Sequence, residues 1–298
     1  MIASALLLSS LLAAAAAAAA EPAPTTAADA GAPPVVEAVA SSGPTAEQID
    51  AVFSSLASLP DVRARVVAAS ERFVGVPYQF DPLGEGPGNP PDEEPRLRFD
   101  RMDCQTFLET VLALAHAKTA GELLPRLDDV RYLGSPAYAH RNHFFEGQWV
   151  PANARKGYVR DATFAIAGKD AIAHVKVITR ERWDQRTVGE KIALPEDRIP
   201  VGRFPMSYLP LKKVVERAKD IPSGTIFAVV RADKPLTPTM VSHLGLVVQK
   251  ADGTSMRHAG KEFFNGVADE PVAHFVERNA SYQKWPVLGL WLLEPVGP

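Results

Sequence analysis

One residue type in this chain is used once. Among 298 residues the only cysteine is Cys104, so no internal disulfide can form and the thiol stands alone. A lone cysteine is either a core packing residue or a nucleophile. As a nucleophile it reacts as thiolate, and at an ordinary pKa near 8.5 only about 3% is ionised at pH 7. Bringing the pKa to about 6 takes about 3.4 kcal/mol of thiolate stabilisation. A helix N-terminus supplies about 0.3–1 kcal/mol, and about 2 in a favourable partly buried site. An imidazolium must provide the rest, and amide cleavage needs a base that can hand a proton to the leaving amine.

Seven histidines are available: His116, His140, His143, His174, His243, His258 and His274. His116 follows Cys104 by twelve residues on one helical pattern, about 18 Å along the axis, and cannot reach it. His243 opens HLGLVVQ, and His258 lies in TSMRHAG beyond a KADG turn. Strand, turn, strand is a hairpin. A four-residue loop from Lys250 to Gly253 pairs Gln249 with Thr254 and Gly245 with His258. His243 and His258 then share a face, roughly 7–8 Å apart at the backbone, and one ring can orient the other. A three-residue loop puts them on opposite faces, and periodicity does not choose between the two. His140, His143 and Glu146 have spacing that imitates a zinc site, but such sites need three or four ligands with ordered partners, so no metal is expected. Ser242 has no nucleophile context and reads as strand surface.

Elements must position these residues. From Cys104 to about Lys118 there is no Gly or Pro, and Phe107, Leu108, Val111, Leu112, Leu114 and Ala115 form a broad apolar stripe. Asp103 is the natural N-cap. This is expected to be the central buried helix, with Cys104 in its first turn. Earlier, Thr45 and Gln48 have capping-box spacing before a helix through Ile49, Val52, Phe53 and Leu56. A second helix is predicted from near Pro60 to Gly75. GEGPGNPPDEEP, residues 84–95, reads as a loop. After Pro151, VKVIT, GTIFAVVRA, HLGLVVQ, TSMRHAG and LGLWLLEP read as strands. Helices first and strands later imply an α+β domain.

The opening MIASALLLSSLLAAAAAAAA, residues 1–20, has the apolar run and small-residue end of a signal peptide, although it lacks Lys or Arg; an uncleaved Ala-rich anchor is the alternative. Residues 21–44 are an Ala/Pro-rich linker, and 45–298 form the folded domain. The net charge is −3, which argues against nucleic acid. No base precedes Arg63, so the remaining chain carries 32 bases against 29 of the 35 acids, a slight excess that suits an anionic polymer. After signal cleavage no membrane association is expected. The oligomeric state is not encoded in any pattern.

Asp103 to Phe107, D-C-Q-T-F, resembles the opening of the catalytic helix in NlpC-like cell-wall hydrolases, and GVPYQFDP, SHLGLVV and RHAG resemble elements of the same family. Asn142 to Phe145 (N-H-F-F), Ser207 to Pro210 (S-Y-L-P) and the long helix text DCQTFLETVLALA resemble its N-acetylmuramoyl-L-alanine amidase-like subgroup. The resemblance spans about Glu71 to Pro295. It implies a papain-like NlpC-type fold, with the catalytic cysteine on a central helix packed against an antiparallel sheet that carries the histidines. It further implies Cys104 as nucleophile, His243 as base and His258 as orienting residue, with Tyr78, Asn142 and His143 along the substrate and no cofactor. The implied partner is peptidoglycan or a muropeptide, cut at the bond between N-acetylmuramic acid and L-alanine. Cleavage between D-glutamate and the diamino acid of the stem peptide, or a cell-wall binding protein with a dead site, are the alternatives. The acidic loop after Tyr78 and EGQWVPANARKG after Phe145 depart from the family pattern and could reshape the groove.

Overall fold

The computed structural model describes residues 43–186 and 192–297. The signal-like segment 1–20 and the linker up to residue 42 lie outside the described residues. The helices are α1 (Ala46–Leu56), α2 (Val62–Glu71), α3 (Cys104–His116), α4 (Ala120–Arg131), α5 (Val150–Arg155), α6 (Thr163–Ala167), α7 (Arg180–Asp184), α8 (Leu211–Arg217) and α9 (Val272–Ala280). The strands are β1 (Val159–Asp161), β2 (Ile172–Ile178), β3 (Gly202–Pro210), β4 (Ile226–Arg231), β5 (Val241–Lys250), β6 (Gly253–Gly260), β7 (Gly266–Pro271) and β8 (Val287–Pro295). The class is α+β, as the order of patterns predicts, although four of the helices, α6 to α9, fall among the strands rather than before them.

Capping residues set the early helices. Thr45 and Gln48 close the expected capping box on α1. The second helix is shorter than its predicted span: Asp61 accepts from Ala64 N to start it at Val62, and it ends at Glu71. Turns carry the chain to Gly75, where φ is +93°, a left-handed conformation that glycine adopts without strain. In α3 the Asp103 carboxylate accepts from the Thr106 backbone and the Thr106 hydroxyl accepts from the Asp103 backbone, a reciprocal cap worth about 1 kcal/mol.

The strands join in one sheet in the order β2-β3-β8-β4-β5-β6-β7, with β1 also on β8. Each of these pairs is antiparallel. One face packs on α1 to α4, with Ala228, Val230, Leu244, Leu246 and Ala259 meeting Phe107, Leu108, Val111 and Leu112. The other face takes α8 and α9, with Phe227, Val247 and Met256 meeting Leu211, Val214 and Phe275. Helix α3 is the centre: every residue from Thr106 to His116 is buried. Each large apolar side chain on it contributes roughly 1.5–3 kcal/mol by burial.

Two register details bear on the histidines. Gln249 pairs with Thr254, the expected register, but Lys250 also pairs with Gly253, so the loop is the two residues Ala251 and Asp252 rather than four. Between β4 and β5, Ala228 pairs with Leu244 but Val230 pairs with Val241. Ser242 and His243 therefore stand opposite Val229 alone. Such a bulge bends a strand and re-aims a side chain.

Candidate functional site

Helix α3 packs on β5 and β6, which brings its first residue to the bulge. The Cys104 thiol is half-buried and lies against the backbone N–H of Leu244, the residue after His243. No side-chain hydrogen bond joins Cys104 to His243 among the described residues. His243 is linked outward instead. Its Nε2 lies 2.9 Å from Nδ1 of His258, with the ring centroids 4.7 Å apart and nearly perpendicular. The shared face expected from the hairpin is thus present, and the two imidazoles touch. Phe227 and Phe275 flank His258. Gly260 leaves them room: a Cβ there would come within 3.0 Å of His258 Nδ1.

The chain of contacts continues to a residue that sequence reasoning missed. His258 Nε2 lies 2.9 Å from Oε2 of Glu270. Glu270 also accepts from Arg278 through both oxygens, at 3.0 and 2.6 Å, and contacts His274 Nδ1 at 2.6 Å. Its side chain is fully buried. The missed signal is the strand itself: GVADEP holds one β-branched residue and a terminal proline, so β7 does not read as a strand. Once β7 pairs with β6, with His258 opposite Ala268, Glu270 falls on the face of His258.

The electrostatics differ from the sequence expectation. Burial pushes the Cys104 thiol up to about 12, and the Asp103 carboxylate adds to that; N–H groups of Leu244, Cys104 and Gln105 oppose it. Burial likewise holds His243 well below 6.5, with His258 and Arg278 adding to the effect. The surroundings therefore favour a neutral thiol beside a neutral imidazole, not the preformed thiolate–imidazolium with a thiol pKa near 6. Desolvation of two charges outweighs one helix terminus and one strand N–H. For Glu270, burial alone would raise the carboxyl, but hydrogen bonds from His258, Arg278 and His274 overcome it and hold the pKa at about 2.

Of the expected substrate residues, Tyr78 is coupled electrostatically to the thiol. Burial raises its hydroxyl to about 12, with the Cys104, Asp103 and Glu262 charges contributing. Asp103, Gln105, Tyr138, Arg141 and His143 line a cavity of about 410 Å³ beside the first turn of α3. His143 is held there by Tyr138 O at 2.8 Å, and burial lowers its pKa to about 4. Gln105 bridges the helix to this segment, donating to Glu109 and to Asn142 O. Asn142 itself faces elsewhere, into a larger cavity of about 900 Å³ that also meets Trp291 and His174. Neither Cys104, His243 nor His258 lines that larger cavity, so its size does not make it the reaction site. The zinc-like trio is dispersed among the described residues. His140 contacts Ser135 O, His143 contacts Tyr138 O, and Glu146 accepts from Thr239 and the Met240 backbone. The loop at 84–95 is folded inward, its Glu85 and Asp92 paired to buried Arg141 at 2.7 and 2.6 Å.

Residues 68–282 match the AmiA-like family, described as N-acetylmuramoyl-L-alanine amidase-like. The chain belongs to that family. Among solved structures, a Legionella pneumophila protein superposes with a TM-score of 0.72 at 24% identity, over 84% of this chain and 94% of its own. An N-acetylmuramoyl-L-alanine amidase from Bacteroides uniformis superposes at 0.63 and 20% identity, over 79% of this chain and 99% of its own. At such identities the likeness is one of fold. No curated protein matches the chain.

Proposed function

We propose that the protein is an exported cysteine amidase with a papain-like, NlpC-type arrangement. It would hydrolyse the amide between the lactyl group of N-acetylmuramic acid and L-alanine in peptidoglycan fragments. Membership of the amidase-like family supports the bond class. The observation that carries the mechanism is the placement of a lone thiol at the start of α3, against the Leu244 N–H, one residue from an imidazole that is itself hydrogen-bonded to a second. Export rests on the opening apolar segment alone.

Because burial favours the neutral pair, the proton moves as the bond forms. Cys104 Sγ attacks the carbonyl carbon while its proton passes to His243. The oxyanion is met by N–H groups at the start of α3, with that of Cys104 the first candidate. Collapse breaks the C–N bond, and His243 returns the proton to the leaving amine, releasing a peptide with a free L-alanine terminus. Water, deprotonated by His243, then cleaves the thioester and frees the muramic carboxylate. Tyr78 and His143 line the approach, and no metal or cofactor takes part.

The test is product mass. Protein lacking residues 1–20, incubated with a disaccharide-peptide, should release a peptide beginning with L-alanine, and Cys104→Ser should release none while keeping a native circular-dichroism spectrum. L-Ala-D-Glu left on the sugar identifies the stem-peptide endopeptidase instead. Substrate binding without turnover identifies a dead-site binder.

A further inference from the structure

The contacts beyond His258 decide which nitrogen of each imidazole carries its hydrogen. We propose that Glu270 is a positioning residue, the outer member of a relay Glu270–His258–His243, and that it fixes both histidines in the tautomer that leaves Nδ1 of His243 unprotonated. The inference rests on His243 as the base of the proposed reaction.

The steps follow from donor and acceptor roles. Glu270 is a carboxylate with Arg278 on both oxygens, so it can only accept. Nε2 of His258, 2.9 Å from Oε2, must therefore carry a hydrogen. In a neutral imidazole the other nitrogen is then a lone pair. Nδ1 of His258 is that nitrogen, and it faces Nε2 of His243 at 2.9 Å, so His243 Nε2 must be the donor. The hydrogen of neutral His243 is thereby assigned to Nε2, and Nδ1 is left as its lone pair. When Nδ1 takes the thiol proton, the S–H bond breaks as the S–C bond forms. His243 becomes a cation whose Nε2–H already points at an acceptor, and no other hydrogen has to move.

Arg278 has a distinct part in this. It donates to both oxygens of Glu270, which keeps the carboxylate an acceptor and holds Oε2 against Nε2 of His258, where the tautomer of His258 requires it. The charged or titratable groups facing the relay are Arg278 and His274 from α9, His258 from β6, and Arg231 from β4. Gly260 completes the arrangement, since any side chain there would intrude on His258 Nδ1.

Nitrogen-15 spectra of the imidazoles test this on the full chain without any variant. At pH 7.5 the spectra should place the hydrogen on Nε2, not on Nδ1, of both His243 and His258. A hydrogen on Nδ1 of either ring in the wild-type protein overturns the proposal. Glu270→Gln should populate the Nδ1–H form of His258 and lower kcat about 10- to 100-fold, the scale seen when a metal-bound histidine loses its orienting partner, with KM little changed. Unchanged tautomers together with unchanged kcat in that variant also overturn it. The spectra do not depend on the thiol. If Cys104→Ser retains activity, the nucleophile assignment fails while the tautomers are judged on their own.

Discussion

At the scale of single residues, the ionisation of Cys104 is where sequence and structure part. A cysteine beside a helix N-terminus and a histidine invites the thiolate–imidazolium reading, because both features are visible as text. What the text hides is burial, which raises the thiol to about 12 and depresses His243. Iodoacetamide separates the two states, since any alkylation must fall on Cys104. With the thiol near 12 rather than 9.0, the thiolate fraction at pH 7 is about a thousandfold lower than for an unperturbed thiol. Native labelling at pH 7 should therefore be slower than that of a free cysteine and should climb steeply only in alkali. Unfolding in urea should restore the ordinary rate. Rapid native labelling at pH 6 to 7, lost on His243→Ala, would restore the preformed ion pair.

At the scale of elements, what was legible is what local rules determine. The N-cap at Asp103, the apolar stripe of α3, the capping box of α1 and the hairpin register at Gln249 and Thr254 all follow from spacings of a few residues. So does the pairing of His243 with His258, once the loop length is known. The elements that escaped are stabilised by distant partners. Helix α4 contains Pro125 and is anchored by Arg131, whose guanidinium pairs with buried Glu109 on α3. Strand β3 carries Pro205 and Pro210, and β7 brings Glu270; neither has the composition of a strand, and both are held by ladders to neighbours. The bulge at His243 is likewise a property of the pair β4–β5. Asp103 joins the local to the distant, because its second oxygen accepts from Asp81 N at 3.0 Å while the first caps α3. Asp103→Ala should lower stability by about 0.5–2 kcal/mol, the range for losing such a cap, and should loosen the 81–95 loop against α3. Urea titration would show it as a lower midpoint with an unchanged slope. An unchanged midpoint would mean that burial of α3 alone fixes the first turn.

For the whole molecule, buried histidines govern the response to acid. Burial, with Arg126 and Arg65 adding to it, lowers His116 from 6.5 to about 4; burial does the same to His143 and holds His243 low. An imidazole with a depressed folded-state pKa stays neutral in the native protein while its unfolded counterpart takes a proton. Between about pH 6.5 and 4 the unfolded state therefore binds more protons, and stability falls as pH falls through that window. Glu270, held at about 2, works on a lower range, since its contribution is complete above the unfolded value of 4.5 and is lost only below it. Glu146, raised by burial, acts with the opposite sign, and only above 4.5. Going from pH 7.5 to 5 thus leaves Glu270 out and sets the histidines, which lose stability, against Glu146, which gains it. His116 is 8% exposed, its Nε2 is buried without a hydrogen-bond partner among the described residues, and its ring packs edge-on to Tyr158. At pH 5 the shift of this one group corresponds to at most about 2 kcal/mol of lost stability. His116→Phe keeps an aromatic ring against Tyr158 and removes the titration. Urea unfolding at the two pH values should show a clear loss in the wild-type protein and a loss smaller by up to that amount in the variant. The variant should also be no less stable at pH 7.5, because an unpaired buried nitrogen is gone. Equal losses in the two proteins, or a wild-type protein that gains stability on acidification, would mean that some other group carries the acid response.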